Sequence, residues 1–121
     1  MTQDVLAAVA TPDLRIAYSG RPGLLPWSGI WQGVAEAMRF FAAVAQHLEV
    51  LEVTPIRRVT EGDTVLVVLS GRWRARATGR EVAARVANLF TLREGRVATY
   101  DVFHDIAALW EALRGETLPD S

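Results

Sequence analysis

The sequence predicts an α+β domain: a curved antiparallel sheet wrapped by helices around an apolar pocket that carries a few carboxylate and amide groups. Three observations predict it. Apolar residues recur at helical spacing early and late in the chain, while strand-like runs cluster between them. Those runs are joined by tight turn signals at Glu61-Gly62-Asp63, Thr78-Gly79 and Glu94-Gly95, which favour antiparallel pairing. The chain has 121 residues and 50% are hydrophobic, enough to bury one core and too few for two, so a single domain over 1–121 is expected.

The elements follow in order. Residues 3–10 read as a short helix ended by Thr11-Pro12, and Leu14 to Tyr18 as a short strand. Ser19 to Gly33 is rich in Gly and Pro and holds Trp27 and Trp31, which predicts an aromatic loop. Val34 to Leu48 places Val34, Met38, Phe41, Ala42, Ala45 and Leu48 in one helical stripe. Val50 to Val59, Thr64 to Ala77, Glu81 to Leu92 and Val97 to Asp105 read as strands. A last helix spans Ile106 to Arg114, with Asp105 as N-cap and Gly115 as its stop.

Two-residue turns at Thr78-Gly79 and Glu94-Gly95 fix a register by counting. Leu69 then faces Asn88, and Asn88 faces Asp101. Gly71, Val86 and Phe103 make the next row, and Trp73, Ala84 and Asp105 the one after. Val67, Phe90 and Thr99, then Val65, Leu92 and Val97, lie toward the other end. Side chains alternate with period two, so these share one face, apolar but for Asn88, Thr99, Asp101 and Asp105. A bulge would shift the rows. The opposite face takes Leu66, Val68, Ser70, Ala87, Leu89, Tyr100 and Val102, with Arg72, Arg74, Arg85 and His104 at one end. It is too apolar for open water, so a homodimer through it is expected.

Composition narrows the chemistry. A net charge of −1 argues against nucleic-acid binding. No apolar run can span a bilayer, and no secretory leader is read at the N-terminus, so no membrane partner and a cytoplasmic location are expected. All 13 basic residues are arginine, a bias that suggests a GC-rich bacterial genome. There is no cysteine and no lysine, which removes thiolate chemistry, Schiff bases and P-loops. Two histidines are too few for a histidine-rich zinc site, so neither metal nor cofactor is expected.

A set of segments then resembles the SnoaL-like proteins of the nuclear transport factor 2-like superfamily, which includes ketosteroid isomerase, polyketide cyclases and limonene epoxide hydrolase. They are Leu25-Pro26-Trp27-Ser28-Gly29, Gly33 before a helix with Phe40-Phe41, Glu61-Gly62-Asp63-Thr64-Val65, Thr78-Gly79-Arg80, Arg93-Glu94-Gly95-Arg96-Val97, and Asp105 before a short apolar helix. The likeness covers residues 11–114. It implies a cone of strongly bent sheet closed by three helices over a deep pocket (a cystatin-like roll), usually opened by a longer helix before the one at residues 3–10, which is missing here. It also implies small-molecule chemistry at Asp105, the position similar to the catalytic carboxylate of SnoaL-like and epoxide-hydrolase members. The Arg-x-Asp pair of the epoxide hydrolases would fall near Leu69 to Gly71, where this chain has no charge.

Each polar candidate has two readings. Asp105 is a catalytic carboxylate or a helix N-cap. Asp101, in the counted register, is a base with a burial-raised pKa or a carboxylate held by Asn88 or an arginine. The two aspartates, about 13 Å apart along an extended strand, cannot act as a close dyad. Asn88 could donate to an oxyanion or simply pair with Asp101. Tyr18 and Trp27 could line the mouth or pack, and Leu69, Trp73, Val86, Phe90 and Phe103 form the expected substrate-binding wall. His104 falls outside near Arg72 and Arg85, and His47 suits a helix C-terminus. Arg72, Arg74 and Arg76 read as a solvated strand face. The expected function is cofactor-free proton transfer on a small, mostly apolar carbonyl compound: isomerisation, cyclisation or dehydration. The alternative is a non-catalytic module that binds a ligand or dimerises through the same fold.

Overall fold

A computed structural model describes residues 2–115. Helix α1 (Gln3–Val9) leads into β1 (Ala10–Tyr18). Strand β2 (Gly29–Gln32) precedes helix α2 (Gly33–His47), four long strands follow, β3 (Leu48–Glu61), β4 (Thr64–Ala75), β5 (Glu81–Arg93) and β6 (Arg96–Phe103), and helix α3 (Ile106–Arg114) closes the order. The six strands form one sheet in the order β2-β1-β6-β5-β4-β3. All neighbours are antiparallel except β1 and β6, which run parallel.

Most elements lie where periodicity and turn chemistry put them. Gly29–Gln32 is an exception: the segment expected to be loop adds an edge strand to β1, pairing Ile16 with Trp31 and Tyr18 with Gly29. On α2 the buried residues are Ala37 and Phe40, with Phe41 and Val44 on the same side, while Ala42 and Ala45 of the expected stripe are exposed. The helix turns this face to β1 and β2, and its aromatic pair Phe40 and Phe41 sits over the concave side of the sheet. Strand β3 is an edge strand, which is why it can hold Pro55 beside a pairing irregularity.

The two hairpins decide which side chains face the cone. Between β4 and β5 the turn is wider than two residues: Ala75 N–H donates to Arg80 O at 2.8 Å, and Arg76 to Gly79 lie outside the ladder. Pairing moves by two residues, so Asn88 faces Val67 and Val86 faces Leu69. An even shift keeps every side chain on its expected face.

Between β5 and β6 the Glu94-Gly95 turn is two residues long, with positive φ at both positions and Arg93 opposite Arg96. One pair further on, the ladder breaks. Leu92 pairs with Val97 but Thr91 pairs with Thr99, so Ala98 is an extra residue in β6. This odd shift inverts the rest of the strand. Tyr100 and Val102 face inward, opposite Phe90 and Asn88, and Asp101 lies opposite Leu89 on the outer face. The expected rows joining Asn88 to Asp101 and Val86 to Phe103 are corrected by that single inserted residue.

Candidate functional site

The concave face holds a cavity of about 210 Å³, open on one side to solvent. Tyr18 from β1, Leu69 and Trp73 from β4, Val86 and Asn88 from β5, and Tyr100 and Val102 from β6 form its floor. Phe40, Phe41 and Val44 of α2 form its roof, and His104 stands just past the end of β6. The floor is a run of inward rows: Asn88 beside Val102 beside Tyr18, and Phe90 beside Tyr100 beside Ile16.

Gly71 shapes this floor. A Cβ built on it would come within 2.6 Å of the Trp73 ring and 2.8 Å of the Glu52 carbonyl oxygen. The bare glycine lets the indole lie back along β4, where it meets the His104 ring edge to face at 4.6 Å.

His104 carries the most informative polar group. The Asp105 backbone N–H donates to its Nδ1 at 2.8 Å, so Nδ1 is an acceptor and Nε2 bears the ring proton. Nε2 is buried and has no partner. Burial pulls the imidazole pKa down to about 4, with the Asp105 charge opposing. The ring is therefore neutral near pH 7 and offers one unspent N–H to the cavity it lines. Asn88, 8% exposed, has an unpartnered Oδ1 on the same wall. Burial raises both neighbouring phenols, Tyr100 to about 12 and Tyr18 further, so both hydroxyls stay protonated.

The aspartates stand elsewhere. Asp101 is on the outer face, 3.9 Å from Arg15. Asp105 is exposed, and its Oδ1 accepts from Ala108 N at 3.0 Å as the N-cap of α3. The structure thus separates the expected trio: Asn88 faces the cavity and neither carboxylate does. Of the expected substrate wall, Tyr18, Leu69, Trp73 and Val86 line the cavity. Trp27 is fully buried behind Tyr18, edge to face at 5.9 Å. Phe90 stacks on Tyr100 with centroids 4.9 Å apart and turns toward a neighbouring hollow. Phe103 is 51% exposed on the outside.

His104 and Tyr100 were expected outside, and both line the cavity. Their signal lay in β6 itself, where Tyr100 and Val102 alternate with the polar Thr99 and Asp101. His47 lies at the C-terminal end of α2, with Nδ1 2.8 Å from Ala43 O and its ring against Trp27. Arg72 and Arg74 bridge Glu49, Glu52 and Glu81 on exposed strand surface, as a solvated face would. Among the described residues no cluster of His, Asp or Glu could hold a metal ion, and no helix is long and apolar enough to cross a membrane.

Comparison with known proteins agrees with the geometry. The SnoaL-like domain family model matches residues 2–100. A nuclear transport factor 2-like protein from Burkholderia xenovorans is similar over 92% of this chain and 82% of its own, at 24% identity and a TM-score of 0.82. A protein assigned by name to the SnoaL-like polyketide cyclases, from Jannaschia sp., is similar over 92% of this chain and 77% of its own, at 24% identity and a TM-score of 0.74. A protein with a ketosteroid isomerase-like fold from Catenulispora acidiphila, in complex with trimethylamine, is similar over 97% of this chain and 83% of its own, at 14% identity and a TM-score of 0.75. No curated protein matches the sequence. With the bent sheet, the three helices and the cavity in place, the family match is decisive: this chain belongs to the SnoaL-like domain family.

Proposed function

We propose that this protein binds a small, mostly apolar carbonyl compound in the cone and polarises its oxygen with the Nε2–H of His104. The observation that carries this reading is the buried, unpartnered ring nitrogen of a neutral histidine inside a wall of aromatic and aliphatic side chains. A buried donor without an acceptor is costly, and a carbonyl oxygen relieves that cost without introducing a charge. Such a donor also stabilises charge that develops on oxygen when a water or buffer base entering from solvent takes a proton from the adjacent carbon, no carboxylate lining the cavity to do so. Isomerisation, cyclisation and dehydration at a carbonyl share that step. Asn88 and the Tyr18 hydroxyl would orient the rest of the molecule. The Catenulispora neighbour in complex with trimethylamine supports a small-molecule role for this fold.

The reading differs from carboxylate-base chemistry, because Asp101 and Asp105 stand outside the cavity. Their placement favours a second reading, ligand binding without turnover. Isothermal titration with short methyl ketones, followed by proton exchange at the α-carbon in deuterated water, separates the two. Binding that weakens about tenfold in His104→Phe supports the site. Exchange of bound ketone above the buffer rate makes the protein an enzyme, binding without exchange makes it a receptor, and no binding of any ketone overturns both.

We also propose a homodimer across the outer sheet face. Phe103, 51% exposed, pairs with Ala87 there, and half-buried Val68 and Leu66 carry the apolar surface along β4. Light scattering at micromolar concentration tests it, and a monomer removes it.

A further inference from the structure

A second hollow of about 270 Å³ lies beside the first, between α1 and the sheet. Its walls are Leu6, Val9, Ala10, Leu14, Phe90 and Val97, together with Phe41 and Tyr100. Phe41 and Tyr100 also line the first cavity, so two aromatic rings form a partition shared by both spaces. The two sides differ in chemistry. The first holds the Nε2–H of His104 and the Oδ1 of Asn88, whereas the second is walled by hydrocarbon, with the Tyr100 hydroxyl its one side-chain polar group. An ordered water needs two to four polar partners, which this wall does not supply, and an apolar chain needs none.

We propose that the two hollows form one bipartite site for a ligand with a carbonyl head and an unbranched aliphatic tail. The head sits against His104 and the tail passes between Phe41 and Tyr100 toward Leu14 and Val97. This inference rests on the carbonyl reading above and names the substrate class more narrowly. The partition fits a thin chain: Tyr100 is held flat against Phe90 at an interplanar angle of 1°, so its ring presents a face along which methylenes can slide. A bulky ring system seated in the first cavity would have to displace Phe41 and Tyr100 to extend into the second.

Isothermal titration with 2-butanone, 2-hexanone, 2-octanone and 2-decanone tests it on the unmodified protein. Each methylene entering the second hollow should tighten binding roughly threefold to fourfold until the hollow is full. Val97→Phe, which fills that hollow, should flatten the dependence on chain length, and His104→Phe should weaken every ketone by the same factor and leave the dependence intact. If short ketones bind but affinity does not rise with length, the bipartite site is overturned while the carbonyl site stands. A steep series that Val97→Phe leaves unchanged places the tail elsewhere and also overturns it. If no ketone binds at all, the carbonyl reading fails and the bipartite site fails with it. If Val97→Phe does not fold, Val9→Phe at the exposed rim of the same hollow makes the same test, with the same flattening expected and an unchanged slope overturning the proposal.

Discussion

The backbone N–H of Asp105 donates to Nδ1 of His104 at 2.8 Å, while the Asp105 side chain caps α3 through Ala108 N. One residue thus starts the last helix and fixes the tautomer of the cavity histidine. This coupling has a pH signature. The imidazole pKa is about 4 in the folded protein and near 6.5 in an unfolded chain. Between those values the unfolded state binds more protons, so stability falls as pH drops from about 6.5 to about 4 and is unaffected by this group above that range. The loss should approach roughly 3 kcal/mol at the acid end. Urea midpoints measured between pH 4 and 8 should show the slope, and His104→Phe should remove most of it. Equal slopes in both proteins would mean that the ring titrates normally.

Asp105 supplies a second prediction, because its cap and its charge can be separated. Asparagine caps a helix as well as aspartate does, and alanine does not. Asp105→Ala should cost about 1 kcal/mol of stability, and Asp105→Asn far less. The Asp105 charge raises the His104 pKa, so Asp105→Asn should lower it further, visible as an imidazole titration moved to more acid pH by NMR. A large stability loss in the asparagine variant would assign the carboxylate a role beyond the cap.

Gly71 and Trp73 give a third. A methyl at position 71 meets the indole at 2.6 Å and the Glu52 carbonyl at 2.8 Å, and the latter is backbone of the neighbouring strand. The clash cannot be relieved by the indole alone. Gly71→Ala should destabilise the fold by about 1–3 kcal/mol and disturb the Trp73 environment. Thermal melting with tryptophan fluorescence checks both. An unshifted melting temperature would show that β3 yields at no cost.

Much of this architecture is legible in the sequence. The order of helices and strands follows from periodicity and turns, and Asp105 and Gly115 mark both ends of α3. What escapes is local. Gly29–Gln32 is too short, and too close to Gly and Pro, to announce a strand. The α2 face centres on Ala37 and Phe40, because a helix rich in alanine offers several stripes of similar hydrophobicity and only packing chooses among them. The site suffers most from this. Asn88, Leu69, Trp73 and Val86 keep their expected face through an even register shift, whereas Asp101, Phe103 and His104 change sides through an odd one. Counting from a turn cannot register an inserted residue, though the pattern of Tyr100 and Val102 against Thr99 and Asp101 carries the correction.

That inserted residue can be tested directly. Ala98 lies between Val97, which pairs with Leu92, and Thr99, which pairs with Thr91. Its deletion would leave the Glu94-Gly95 turn intact and continue the ladder without a bulge. The pairs beyond it are already Thr91 with Thr99 and Phe90 with Tyr100, so the deletion keeps every partner and every face and removes only the extra residue. Tyr100 and Val102 would stay inward, Asp101 would stay outside near Arg15, and the Tyr100–Phe90 stack would be kept. What the deletion takes away is the local bend and added twist that a bulge gives its strand. The Ala98 deletion should therefore fold with a lowered melting temperature, while Ala98→Ser, which preserves the bulge, should melt close to the parent. Circular dichroism of the two proteins checks the pair. A deletion variant that does not fold, beside a native-like serine variant, would show that the bend at Ala98 is required to close the sheet over the cavity.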